Sequence, residues 1–340
     1  MSRAKLQGLG IDLPLFPITS VGSFPKPDFL LKARADFASN RIRRGALEKA
    51  ERQATEFWIR KQEELGVDVL VDGEMYRGDM VAYFAENLAG FEDGGLVRSY
   101  GNRYYHKPVI SDEVHWDEPI TLEWWKYARG ITSKPLKGML TGPYTIMDWS
   151  FIEYYPDRRT ACVALAKELR NEVQALIDEG AKIIQIDEPA ISVRPEELPV
   201  AIEAMHIMTD GLPAYFISHI CYGAFENIYP GMLDLPVDNF DLEMSNSGLD
   251  TLELFKRRTY TKDISFGVVD SHSHLIEDGP TVEHRLRQAL EVLPKEAIWV
   301  DPDCGLKTRT ADEAVAKMQA VVNAAKALRE KAGVRSQESE

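Results

Sequence analysis

Short apolar runs rich in β-branched residues punctuate the chain at eight places. They lie at 16–21 (FPITSV), 67–71 (VDVLV), 136–140 (LKGML), 182–186 (KIIQI), 214–220 (AYFISHI), 240–244 (FDLEM), 264–269 (ISFGVV) and 297–300 (AIWV). Between most of them apolar positions recur with a period near 3.6, predicting amphipathic helices at 46–65, 158–179, 282–293 and 310–331. Strands alternating with helices predict a parallel sheet. Eight such units predict an α/β chain closed into a (β/α)8 TIM barrel rather than an open sheet. Such a barrel takes ~250 residues, and the chain has 340. The surplus falls in a long insertion after strand 2, residues 75–135, expected at the C-terminal face of the barrel. Inside it, 97–106 and 107–114 read as a β-hairpin-like excursion, and 122–129 as a short aromatic helix. Residues 332–340 are polar and predict a frayed, disordered tail. No repeat or low-complexity linker breaks the pattern, so 1–340 reads as a single domain.

Charge narrows the range of partners. Forty Lys and Arg against 54 Asp and Glu leave a net charge of −14. Nucleic acids and anionic membranes are both bound through Lys and Arg, so neither is an expected partner. No apolar run of ~20 residues predicts a membrane span. The first residues lack the apolar core of a signal peptide. Three cysteines, Cys162, Cys221 and Cys304, are too few and too scattered for a disulfide framework. A reduced, cytoplasmic protein is the expectation.

In barrels of this kind chemistry collects at the C-terminal ends of the strands, and here those ends are polar. In order they carry Gly22-Ser23-Phe24-Pro25, Asp72-Gly73-Glu74, Thr141-Gly142-Pro143, Asp187-Glu188-Pro189, His219 with Cys221, Glu243, Asp270-Ser271-His272 and Asp301-Pro302-Asp303-Cys304. His219 and Cys221 are two apart and share a face of their strand. With Glu243 and Cys304 they make one imidazole, two thiols and one carboxylate, a tetrahedral set suited to zinc (Zn2+). The alternative is that the two thiols are small buried hydrophobes. Cys162 fits that description, lying with Leu165, Leu169, Val173 and Leu176 on one apolar helical stripe. A site with three anionic ligands is a poor activator of water. It is better suited to holding an incoming thiol as a thiolate, because a coordinating thiol is deprotonated outright. Alkyl transfer to sulfur is therefore favoured over hydrolysis.

Other strand-end residues suit a small ligand. Glu74 and Asp187 can grip an ammonium group, and Ser23 in its Gly-Ser turn can hold a carboxylate; turn capping is the alternative for each. His272 is a candidate general acid. Trp149, Tyr154 and Tyr155 form an aromatic cluster that faces either a flat ligand or the core. His274 and His284 read as surface residues, while His106 and His115 lie in the insertion without an assigned role.

These motifs, in order, resemble the catalytic barrel of the cobalamin-independent methionine synthase family. The resemblance runs through Ser20-Val21-Gly22-Ser23-Phe24-Pro25, Val71-Asp72-Gly73-Glu74, Val97-Arg98-Ser99-Tyr100-Gly101 and Lys137-Gly138-Met139-Leu140-Thr141-Gly142-Pro143. It continues through Gln185-Ile186-Asp187-Glu188-Pro189-Ala190 and Asp301-Pro302-Asp303-Cys304-Gly305-Leu306-Lys307-Thr308-Arg309. It implies methyl transfer to the thiol of L-homocysteine, with His219, Cys221, Glu243 and Cys304 on zinc. It places Val21, Gly22 and Ser23 on the substrate carboxylate, Glu74 and Asp187 on its amine, and His272 as proton donor. Trp149 falls on the tryptophan that meets the pterin, and Arg103 on a folate-contacting arginine. Three features depart from the pattern. Full-length members carry a second, N-terminal barrel, whereas here the first motif begins near Ile18. Val193 stands where the family has a pterin-contacting acid, and Tyr104 replaces the small residue after the arginine. The expected donor is accordingly methylcobalamin or a methylated corrinoid protein, with 5-methyltetrahydrofolate the alternative. Transfer to another small thiol, a zinc hydrolase and a non-catalytic thiol- or metal-binding protein are the rival readings.

Overall fold

Six of the eight expected strands form where the apolar runs lie. A computed structural model of the protein describes residues 2–98, 104–221, 223 and 225–331. Its strands are β1 (Ala89–Arg98), β2 (Tyr104–His115), β3 (Lys137–Thr141), β4 (Phe151–Ile152), β5 (Ile183–Asp187), β6 (Tyr215–Ile220), β7 (Asn239–Leu242), β8 (Asp263–Gly267) and β9 (Ile298–Asp301). The four long helices occupy Arg44–Leu65, Arg158–Asp178, Gly279–Leu290 and Ala311–Lys331. The expected tail at 332–340 lies outside the described residues, as does Arg103. The chain divides into two compact units.

The first unit comprises Met1–Tyr76, Trp124–Lys137 and Asn239–Glu340. In it β7, β8 and β9 run parallel in register. The two expected strands at 16–21 and 67–71 are reduced to isolated parallel bridges, Ile18 to Val300 and Leu70 to Leu136. The cause is local. Phe16 has φ 51°, Pro17 has no N–H to donate, and the Ile18 amide is taken by the Asp68 carboxylate at 2.8 Å. The backbone still runs alongside, with the Asp68 and Val69 amides both donating to the Ile18 carbonyl. The last helix packs Ala314, Met318, Val321, Val322, Ala325 and Leu328 inward. Near its end, buried Arg329 binds Asp68 and the Leu15 and Phe16 carbonyls.

The second unit comprises Arg77–Glu123 and Gly138–Asp238. Here β5 and β6 are parallel neighbours, and the Gly142 amide at the end of β3 donates to the Asp187 carbonyl. The expected hairpin-like excursion is an antiparallel β1–β2 hairpin, with β4 added in parallel to β2. Its first strand begins at Ala89, earlier than the polar, glycine-rich pattern of 89–96 suggests. Glu172, buried on the 158–178 helix, anchors the segment after the hairpin. Its carboxylate accepts bonds of 2.7–2.8 Å from the Trp116 indole, the Ile120 and Thr121 amides and the Thr121 hydroxyl. Cys162 is fully buried on the apolar face of the same helix, and burial pushes its thiol well up. Among the described residues, no helix is long and apolar enough to cross a membrane.

Candidate functional site

In the second unit, three strand ends deliver polar groups. Asp187 closes β5 and is buried; the Gln185 side chain, two residues earlier on the same face, donates to its Oδ1 at 2.7 Å. His219 lies on β6 and Cys221 just past its end, both buried. Their ligand atoms lie within 4.8 Å of each other. The His219 carbonyl accepts the Glu188 amide at 2.9 Å, joining the end of β6 to the Asp-Glu-Pro turn.

Glu188 itself faces inward. Its carboxylate accepts from the Tyr144 amide (3.0 Å), the Thr145 amide (2.8 Å) and the Thr145 hydroxyl (2.7 Å). Burial outweighs those bonds and pushes its carboxyl up to about 7. Glu188 thereby fixes the start of the helix Pro143–Asp148, whose C-cap is Trp149. Asp148 is held from the other side by Arg158 (2.5 Å) and Arg194 (3.0 Å). Room for Glu188 exists only because residue 142 is glycine. A Cβ there would stand 2.1 Å from the Glu188 carboxyl carbon. Gly142→Ala is expected to lower stability by about 1–3 kcal/mol through overpacking, read as a lower thermal midpoint. An unchanged midpoint would show that Glu188 is free to move aside. Val193, six positions beyond Asp187, is 63% exposed. Tyr154 and Tyr155 stack edge-to-face, and the Tyr155 hydroxyl accepts the Val114 amide, so this pair braces the hairpin.

In the first unit, Val21 and Ser23 are buried in the turn after the first bridge. Ser23 pairs with Gly73 in a parallel bridge, and the Leu306 amide donates to the Ser23 carbonyl at 2.8 Å. Gly22 continues the same buried turn. Asp72 binds the Glu74 amide (2.8 Å) and the Tyr76 hydroxyl (2.9 Å). Gly73 and Glu74 both have positive φ, 83° and 59°. For a non-glycine residue that conformation is costly and tends to occur at functional sites.

Glu243 follows β7 and is buried; Asn246 donates to its Oε1 at 2.6 Å, and His272 Nε2 lies 3.7 Å from the same oxygen. The His272 side chain is 33% exposed, with Nε2 itself on the buried side. Cys304 follows β9 and is partly exposed. Asp303, just before it, is a residue the strand-end pattern did not single out. Its buried carboxylate accepts from the Met244, Ser245 and Asn246 amides (3.1, 2.9 and 2.7 Å) and from the Ser245 hydroxyl. Burial pushes its carboxyl up to about 6 despite these bonds. Asp303 therefore ties the loop after Glu243 to the residue before Cys304. Its proximity to Cys304 in Asp-Pro-Asp-Cys was the available signal. His106, His115, His274 and His284 are exposed, His106 paired with Asp93 and His274 with Glu313.

The chain matches the family described as "Cobalamin-independent synthase, Catalytic domain" over residues 16–327. It is 42% identical, over 342 aligned residues, to the 5-methyltetrahydropteroyltriglutamate–homocysteine methyltransferase of Actinobacillus pleuropneumoniae serotype 7. That alignment covers 96% of this chain and 45% of the relative. The namesake protein of Buchnera aphidicola is 41% identical, with 97% and 45% covered. The chain thus spans about half the length of the curated relatives it matches. A B12-independent methionine synthase from Shewanella sp. W3-18-1, solved with selenomethionine, superposes with a TM-score of 0.84 at 24% identity, covering 94% of this chain and all of that one. The fold is accordingly that of the (β/α)8 barrel. The expected methylcobalamin or corrinoid-protein donor is corrected by these matches. The matched family is cobalamin-independent, and the relatives are named for a pteroyltriglutamate donor. The corrinoid expectation weights the departures from the family pattern, Val193 and Tyr104 among them, above a retained His272, which a corrinoid leaving group does not need.

Proposed function

The chain belongs to the catalytic-domain family of the cobalamin-independent synthases, and from that premise we propose that it methylates L-homocysteine to L-methionine with a 5-methyltetrahydrofolate donor. The reading takes 1–340 as one catalytic domain and 75–135 as an insertion within it. The observation that carries it is the pairing of His219 and Cys221, buried neighbours whose ligand atoms lie within 4.8 Å of each other, and Cys304 is proposed as the third donor. Glu243 is the fourth donor of the proposed set, oriented by Asn246. One imidazole, one carboxylate and two thiols fit zinc better than a hard cation such as Mg2+ or Ca2+. Bound there, zinc would supply the charge that keeps the homocysteine sulfur a thiolate near neutral pH.

The remaining chemistry belongs to the chain's own residues. Glu74 and Asp187 hold the substrate ammonium, and Val21, Gly22 and Ser23 hold its carboxylate. The sulfur lone pair forms the S–C bond as the methyl carbon leaves N5 of the donor. That nitrogen is a poor leaving group unless it gains a proton, and His272 delivers one. Trp149 and Arg103 are assigned to the donor ring. A rival acceptor without an amine would give Glu74 and Asp187 no cation to bind. Purified protein given homocysteine and 5-methyltetrahydropteroyltriglutamate should form methionine; none formed by zinc-replete protein would overturn the reading.

Asp187 gives a sharper expectation. Asp187→Asn keeps the bond from Gln185 and the size of the side chain but removes the charge facing the ammonium. The lost charged hydrogen bond should cost about 1.5–3 kcal/mol. That corresponds to roughly 10–150-fold in homocysteine KM. Equal KM and kcat in the variant would take Asp187 out of the amine site.

A further inference from the structure

Lys317, midway along the helix Ala311–Lys331, is 0% exposed. Lysine is almost never fully buried without a partner. A buried ion pair adds little net stability over two apolar side chains of similar size. Stability therefore does not explain Lys317, but its contacts do. Nζ donates to the Leu275 carbonyl (2.5 Å) and to Glu277 Oε2 (3.0 Å). Glu277, also buried, accepts the Asp270 amide on Oε1 at 2.6 Å. Asp270 Oδ1 in turn accepts the His272 amide at 2.8 Å. Arg285 braces the same knot, 3.5 Å from Glu277 Oε1 and bonded to the Val268 carbonyl. One turn earlier on the same helix face, Glu313 meets His274 Nδ1 at 2.8 Å. Glu313 is itself fixed by reciprocal bonds with Thr310, a capping box.

The loop 270–278 is thus strapped to the last helix by polar contacts rather than by packing. Its apolar tip residues, Leu275 and Ile276, point outward at 71% and 37% exposure. We propose that Lys317 and Glu277 are positioning residues that hold the His272 loop in its working place. The proposal rests on the assignment of proton delivery to His272. A displacement of about 1 Å at a reacting group can cost about a hundredfold in rate, so a loop held by one buried pair is a sensitive point.

The test uses the full chain with Lys317→Met and Glu277→Leu combined, which removes the pair without stranding either charge, and Lys317→Arg as the conservative variant. Hydrogen exchange read by mass spectrometry follows the amides of 268–276 and needs no turnover. Exchange there should accelerate at least ~10-fold in the double variant while β5 and β6 keep wild-type rates. Turnover measured alongside should show kcat falling about a hundredfold, with homocysteine KM and zinc content unchanged. Lys317→Arg should restore most of both. Unchanged loop exchange in the double variant overturns the proposal, as does a loosened loop with unchanged kcat. A wild-type protein that forms no methionine counts against the assigned reaction instead, and the exchange measurement then decides the strap.

Discussion

Cys304→Ser is expected to lose nearly all bound zinc and to lower methionine formation by about a thousandfold or more. Serine keeps the shape of the side chain but not its chemistry. A thiol on zinc is deprotonated outright, whereas a hydroxyl stays protonated near neutral pH and is a weak ligand. Of the other proposed donors, His219 lies on β6, Cys221 just past its end and Glu243 after β7. None of them is placed to supply a second sulfur. Metal charge stabilisation is worth several kcal/mol, and about 4 kcal/mol is a thousandfold in rate. The fold should survive, because Cys304 is partly exposed and Asp303 anchors the loop. Cys162→Ser is the control: it should keep metal and turnover while losing some stability, since it leaves a hydroxyl on a fully buried apolar helix face. Metal analysis and turnover on both variants check this. Full zinc and activity in Cys304→Ser would remove Cys304 from the ligand set.

Much of this was legible in the chain because the residues proposed to carry the reaction sit at strand ends, where a period of two and a short motif place them. His219 with Cys221, Asp187 and Glu243 all follow from such local geometry. What was not legible depends on contacts between distant residues. Asp303 reaches back almost sixty positions to the Met244–Asn246 amides. Lys317 reads as an ordinary charged position in an amphipathic helix, and only its burial against Glu277, forty positions away, marks it. The regular strand expected at 16–21 failed for a similar reason. Asp68, fifty positions on, takes the Ile18 amide that a ladder would have used. The early start of β1 came from pairing with β2, not from its own weak alternation. The donor was misjudged in another way. The departures from the family pattern, Val193 among them, point to a corrinoid only if the retained candidate proton donor, His272, is set aside.

With 5-methyltetrahydropteroyltriglutamate as donor, His272→Ala is expected to lower kcat by about 10²–10⁴-fold, the usual reach of one general acid. Zinc content and homocysteine KM should stay near wild type. The reason lies in the leaving group: an amine expelled without a proton departs as a strongly basic anion, so the transition state needs the proton in place. His272 suits the task because an imidazole can hold and release a proton near neutral pH, and its side chain lies beside Glu243. Its Nε2 lies 3.7 Å from the Glu243 carboxylate. Alanine keeps the backbone amide that binds Asp270, so the loop should hold its course and the loss should fall on chemistry. Val193 bears on donor affinity instead. Its missing carboxylate removes one hydrogen-bonding contact, worth about 1–3 kcal/mol, which raises the donor KM without changing which donor is used. Methylcobalamin should yield no methionine with either protein. A His272→Ala variant within threefold of wild type would show that the proton arrives by another route.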